Sequence, residues 1–257
     1  MNNKIIKTYS RCSTTGIYGS SLKNKKLKFF DTDDVETFKT YKKKKNTVYN
    51  ASDIIYSINS LGHRSVETNK LGKEYILFTG CSHTQGIGLP LQETYADIVA
   101  KNFNMPYYNL ALSGSGNDLI FINISKWLKY FSSKPKLIVI QYTYRERFYR
   151  ELGDCIELIG PWNFEKLPLE TRHNFINYST DVQLGEESFR KNKELVLNFL
   201  SILGIKCIEI PPANMGSIEN IEFKILDTAR DLLHPGKQSN IILANEIIRK
   251  IQTNKLI

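Results

Sequence analysis

Downstream of residue 73 the chain alternates short apolar runs with longer amphipathic stretches. Tyr75-Ile76-Leu77-Phe78 stops at Thr79-Gly80, too short for a core helix and closed by turn chemistry, so it reads as a buried strand. Residues 92–103 follow a helical period, and Tyr107-Tyr108-Asn109-Leu110 reads as a second strand. Residues 117–131 carry Leu119, Ile120, Ile122, Ile124, Trp127, Leu128 and Phe131, which predicts a mostly apolar helix. Lys136 to Tyr142 is the clearest buried strand. Residues 186–203 predict a helix ending near Gly204, and Ile205 to Ile210 a strand stopped by Pro211-Pro212. A last helix over 237–252 is opened by Pro235-Gly236. Alternation of this kind predicts an α/β fold, a three-layer α/β/α sandwich on a short parallel sheet. The excursion at 143–185 has aromatics and charges but no clear element, and a stretch that long inside a domain is functional or an inserted subdomain.

Upstream, the pattern fades. Residues 1–50 are rich in Lys, Ser and Thr, and only patches such as Leu27-Lys28-Phe29-Phe30 could pack as strands. The expected division is a basic N-terminal appendage and lead-in over 1–70, then one domain over 71–257. Composition fits this: 257 residues, 41% hydrophobic and 24% charged, describe a globular chain long enough to bury a core. No apolar run reaches the ~18 residues of a membrane span, and the polar start MNNKIIKTYSRC is no secretory signal. The expected location is the cytoplasm, or a virion or host cell for a phage protein. Cys12, Cys81, Cys155 and Cys207 show no paired CxxC spacing, which argues against zinc and disulfides. The formal charge of +9 suggests a nucleic-acid partner at first sight. Residues 1–50 hold 12 bases and 4 acids, a net +8, whereas residues 51–257 hold 23 bases and 22 acids, a net +1. The excess belongs to the appendage, including the self-repelling Lys42–Lys45 run, so nucleic acid is not the expected partner of the body.

Reactive groups in parallel sheets gather at the carboxyl ends of strands. After the first strand, Gly80-Cys81-Ser82-His83-Thr84-Gln85-Gly86 could raise the Ser82 hydroxyl above the sheet edge, although on this segment alone a plain polar turn is the better reading. After the second, Ser113-Gly114-Ser115-Gly116-Asn117-Asp118 could offer N–H groups to an oxyanion, or simply cap a helix with Asn117 or Asp118. It lacks the GK[ST] and GxGxxG spacings of phosphate loops. Before the last helix, Asp231-Leu232-Leu233-His234-Pro235-Gly236 could turn tightly enough to orient His234 by Asp231; a surface pair is the alternative. Together they supply a nucleophile, an oxyanion site and an oriented base.

These blocks resemble those of SGNH (GDSL-type) hydrolases, particularly bacterial and phage members. GCSHTQG is similar to the GDSxT nucleophile block, NLALSGSG to the glycine oxyanion block and DLLHPG to the terminal DxxH block, across residues 73–252. Asn59, Gly62 and Arg64 are similar to an NxxGxR lead-in. The resemblance implies Ser82 as nucleophile, Gly114 and the Ser82 N–H at the oxyanion, His234 as base, Asp231 as its orienter, and no cofactor or metal. It implies an esterase removing an O-acyl, specifically O-acetyl, group from a small-molecule or glycan ester. An acyltransferase on the same triad and a non-catalytic virion or binding protein are the alternatives. Two blocks depart from the pattern. Cys81 replaces the Asp of GDS, and the strand ending Gln141-Tyr142-Thr143-Tyr144-Arg145-Glu146-Arg147 lacks the Asn that completes the oxyanion hole. Asn117, Thr143 and Arg145 are the candidate replacements. His83 is expected at the pocket rim, Arg145 and Arg147 as carboxylate binders or a solvated face, and Trp162 on a sugar ring or in loop packing.

Overall fold

The structure, a computed structural model, describes residues 8–44 and 48–257. Its centre is a four-stranded parallel sheet of β5 (Ile76–Thr79), β6 (Tyr107–Asn109), β7 (Leu137–Gln141) and β10 (Lys206–Ile210), in the order β10-β7-β5-β6. Its alternate residues enter two different cores. Ile76, Phe78, Leu137, Val139, Ile208 and Ile210 pack with Tyr95, Ala96 and Val99 of α3 (Tyr95–Asn102) and Leu243, Ala244 and Ile247 of α7 (Lys237–Thr253). Leu77, Ile138 and Ile140 pack on the other face with Ile120, Ile124, Trp127 and Leu128 of α4 (Asn117–Tyr130) and Val196 and Leu200 of α6 (Val182–Ile202). Both faces are covered, which is why the strands read as unbroken apolar runs rather than alternating ones. Among the described residues no helix is long and apolar enough to cross a membrane.

The upstream segment differs from an irregular appendage. β1 (Thr8–Arg11) pairs antiparallel with β2 (Tyr18–Ser20) and with β9 (Cys155–Ile159), and β9 pairs with β8 (Phe148–Leu152). The excursion thus contains a hairpin, followed by α5 (Leu169–Thr180), and its sheet is completed by the chain's beginning. β8 is only partly buried along its length and carries charged residues, so it lacks the continuous apolar signal of the central sheet. The rest of the segment contributes β3 (Lys26–Leu27), α1 (Val35–Lys42), capped by Asp34, and β4 (Tyr56–Ser57). Tyr41, Tyr49, Ile54, Tyr56 and Ile58 form a third core with Ile87, Leu89 and Ala229. Lys42 ends α1, and Lys45 lies outside the described residues.

Ile17 is fully buried in the core beneath the central sheet. Ile17→Ala is predicted to lower the urea unfolding free energy by about 2–5 kcal/mol. A loss below about 0.5 kcal/mol, the surface level, would mean that the upstream segment unfolds separately.

Candidate active site

Ser82 owes its position to a close approach that only glycine allows. A Cβ on Gly80 would lie 2.2 Å from Thr84 Oγ1 and 3.0 Å from Gln141 O. The chain can therefore turn straight from β5 into α2 (Ser82–Gln85). Cys81 points inward, fully buried, with its thiol 3.4 Å from Gln141 Oε1. Gly86, at φ +74°, ends the helix in the left-handed region. Arg64 of the lead-in caps this turn by donating to Gln85 O (3.2 Å), Gly86 O (2.5 Å) and Leu89 O (2.7 Å). Asn59 accepts from the Leu61 and His63 N–H groups at 3.1 and 3.0 Å, while Gly62, at φ +89°, lies against Ser20. The NxxGxR element is thus a clamp on the end of the Ser82 helix.

The loop after β6 is tied to that helix. Asn109 Nδ2 donates to Thr84 O (2.7 Å), and Ser113 N donates to Gln85 Oε1 (3.0 Å). Gly114 adopts φ +84°, which suits glycine. Among the described residues neither the Ser82 N–H nor the Gly114 N–H has an acceptor. Two such donors beside a serine are what an oxyanion requires.

The loop before α7 joins Asp231 to His234. Asp231 Oδ1 accepts from His234 N (3.0 Å) and Leu233 N (3.2 Å), while Oδ2 bonds His234 Nδ1. Leu232 bears the strain of this turn at φ +63°. With Nδ1 engaged, Nε2 is the nitrogen left to accept a proton. Burial alone would raise the Asp231 carboxyl. The His234 charge and hydrogen bond, with Thr32 and backbone donors, outweigh it and hold the group at about 2. The turn lies against the Ser82 loop: Arg230 N donates to Gly88 O (3.0 Å), and a Cβ on Gly88 would lie 3.1 Å from Asp231 Oδ1. His83 sits edge-on to His234 at 5.5 Å between ring centres.

The upstream segment completes this arrangement with residues that sequence reasoning missed. Thr32 Oγ1 donates to Asp231 Oδ2 at 2.6 Å. Next to it, Asp33 forms a fully buried ion pair with Arg230, with Nε and Nη2 at 2.8 and 2.6 Å. Arg230 also donates to Lys28 O (2.6 Å) and Asn50 O (3.0 Å). Tyr56 OH donates to Asp33 Oδ2 (2.5 Å) and accepts from Gly88 N (2.8 Å). One polar network thus joins the N-terminal turn, the Ser82 loop and the Asp231 loop.

The other candidates fare differently. Asn117 is engaged with the backbone of Thr143: Nδ2 donates to its carbonyl (3.1 Å) and Oδ1 accepts its N–H (2.9 Å). It pins the loop after β7 to α4. The Thr143 hydroxyl is buried without a partner. Arg145 pairs with Glu186. His83 is buried rather than at the rim, packed edge-on against Phe223 and Tyr144, because both faces of its short helix are covered. Burial, then the His234 and Arg147 charges, push its pKa well down, so it is a neutral wall of the site.

No family model matches the chain, and no curated protein matches it. Its neighbours among solved structures are GDSL lipolytic proteins and family 2 carbohydrate esterases, at low identity. A lipolytic G-D-S-L family member from Veillonella parvula is 14% identical, covering 68% of this chain and 97% of its own, with a TM-score of 0.36. The psychrotrophic esterase EstA from Pseudoalteromonas is 12% identical, over 70% of this chain and 97% of its own, with a TM-score of 0.38. A carbohydrate esterase family 2 enzyme with a carbohydrate-binding domain from Myceliophthora fergusii is 16% identical, over 77% of this chain and 70% of its own, with a TM-score of 0.39.

Two outcomes are expected. Asp33→Asn, which leaves Arg230 buried without its charge partner, should cost about 3–5 kcal/mol in chemical denaturation. The depressed Asp231 carboxyl stabilises the fold fully above about pH 4 and loses that contribution as pH falls through about 2. Asp231→Asn should therefore remove about 2 kcal/mol of the acid-dependent loss of stability between those values. An unchanged acid limb would contradict this.

Proposed function

We propose that the chain is a serine esterase of SGNH type that hydrolyses an O-acyl ester, specifically an O-acetyl group on a carbohydrate, through Ser82, His234 and Asp231. The observation that carries the reading is the pairing of an Asp231-oriented imidazole with two unengaged N–H donors on the adjoining serine and glycine loops. Ser82 Oγ attacks the acyl carbonyl carbon as its proton passes to His234 Nε2. The carbonyl oxygen becomes an oxyanion between the N–H groups of Ser82 and Gly114. Collapse breaks the ester C–O bond, and the sugar oxygen leaves with the proton from Nε2. Water then attacks the acyl-serine, giving its proton to Nε2; collapse returns that proton to Ser82 Oγ and releases the acid. Asp231 steadies the imidazolium in both halves without taking its proton. No cofactor takes part in this scheme.

The departure in the third block bears on rate rather than on the reaction's logic. Asn117 is held by the Thr143 backbone and Arg145 by Glu186, and in this reading the backbone N–H groups of Ser82 and Gly114 serve the oxyanion. One absent side-chain donor is worth about 3 kcal/mol in the transition state, and slow turnover is expected.

A fluorophosphonate probe should label the folded protein, and Ser82→Ala should abolish labelling while keeping the melting transition. His234→Ala should slow labelling by about a hundredfold or more, the worth of a general base. A folded wild-type protein that stays unlabelled would overturn the reading in favour of a non-catalytic binding protein.

A further inference from the structure

Arg147 is an unusual cation. It follows the loop after β7 and lies over the ring of Tyr144 at 4.9 Å and over Trp162 at 5.1 Å. Its Nε and Nη1 are sealed from water without an acceptor. Among the described residues no carboxylate forms an ion pair with it, and its Nη2 likewise has no partner. A guanidinium desolvated on two of three nitrogens and left without a counter-charge is costly unless something supplies the charge.

Its surroundings connect it to the ester site. The Arg147 carbonyl lies against Gly116, two residues beyond the Gly114 donor, where a Cβ would come within 2.4 Å. Tyr144, beneath the guanidinium, stands edge-on to His83, which in turn stands edge-on to His234. Arg147 also lines a small polar cleft with Asn117, Asp118, Arg145, Ser188 and Asn192. Of the other ionisable groups lining the cleft, Arg145 pairs with Glu186, and Asp118, whose carboxyl burial raises to about 6, accepts the Leu119 N–H at 2.7 Å.

We infer that Arg147 is an anion-recognition residue that selects ester substrates carrying a carboxylate, such as an acetylated uronic acid. The inference deepens the esterase reading and rests on it for the sugar. An ester carbonyl held by the Gly114 N–H would extend the remainder of its substrate past Asn117 towards the cleft, where a carboxylate meets the guanidinium. A charge-assisted bond to arginine out of water is strong and selective.

The test separates binding from turnover. Calorimetric titration of the full chain with methyl glucuronide and methyl glucoside compares a carboxylate with a hydroxymethyl on one skeleton. Wild type should bind the glucuronide about tenfold more tightly or better. Arg147→Gln should reduce that preference to within about twofold, and Arg147→Lys, which keeps the charge, should restore part of it. Equal affinity for the two glycosides, no measurable glucuronide binding, or a preference kept by Arg147→Gln would overturn the inference. Fluorophosphonate labelling of Ser82 run alongside tells the two readings apart. Preference without labelling sinks the esterase and leaves the anion site, while labelling without preference sinks the anion site alone.

Discussion

The buried ion pair between Arg230 and Asp33 is the constraint on which the site depends. Two fully buried charges tolerate burial only with good geometry and further hydrogen bonds. Here Arg230 has two carboxylate contacts and also reaches Lys28 O and Asn50 O. Arg230 immediately precedes Asp231, so fixing one fixes the other. The same pair holds the 28–33 turn where Thr32 can donate to Asp231. A segment that reads as an appendage therefore sets the orientation of the proposed base.

The central sheet supplies the second constraint. Its strands end side by side, so the Ser82 turn after β5 and the Gly114 loop after β6 emerge on one edge. Close packing at Gly80 and Gly86, and the Gln85 bridge to Ser113, bring the two loops to hydrogen-bonding range. What remains adjustable lies beyond β7. There Asn117 anchors Thr143, and Arg145 and Arg147, two residues apart, meet different fates.

The parallel sheet and its helices were legible in the sequence because strands buried on both faces leave continuous apolar runs between amphipathic helices. The Asp231–His234 pairing was legible as well, since its residues lie three apart within one turn. The upstream half was not. β1 and β2 are short and find partners in β9, far away in sequence, which local periodicity cannot register. Thr32 and Asp33 lie in an Asp-Thr-Asp-Asp tract whose partners, Asp231 and Arg230, are about 200 residues away and invisible locally. The lysines that set the basic charge divert attention from the buried acid that matters. Asn117, whose residue type suits an oxyanion donor, holds the Thr143 backbone with its amide, a contact that local sequence does not reveal.

In the proposed reaction Ser82 carries the acyl group. Mass spectrometry of protein quenched during reaction with an activated acetyl ester tests it most directly. One acetyl group is expected, located on the peptide containing Ser82, and its formation should slow when Asp231 is replaced by Asn, because the same oriented base serves acylation and deacylation. Acetyl on Cys81 or elsewhere, or ester hydrolysis that persists in Ser82→Ala, would contradict it.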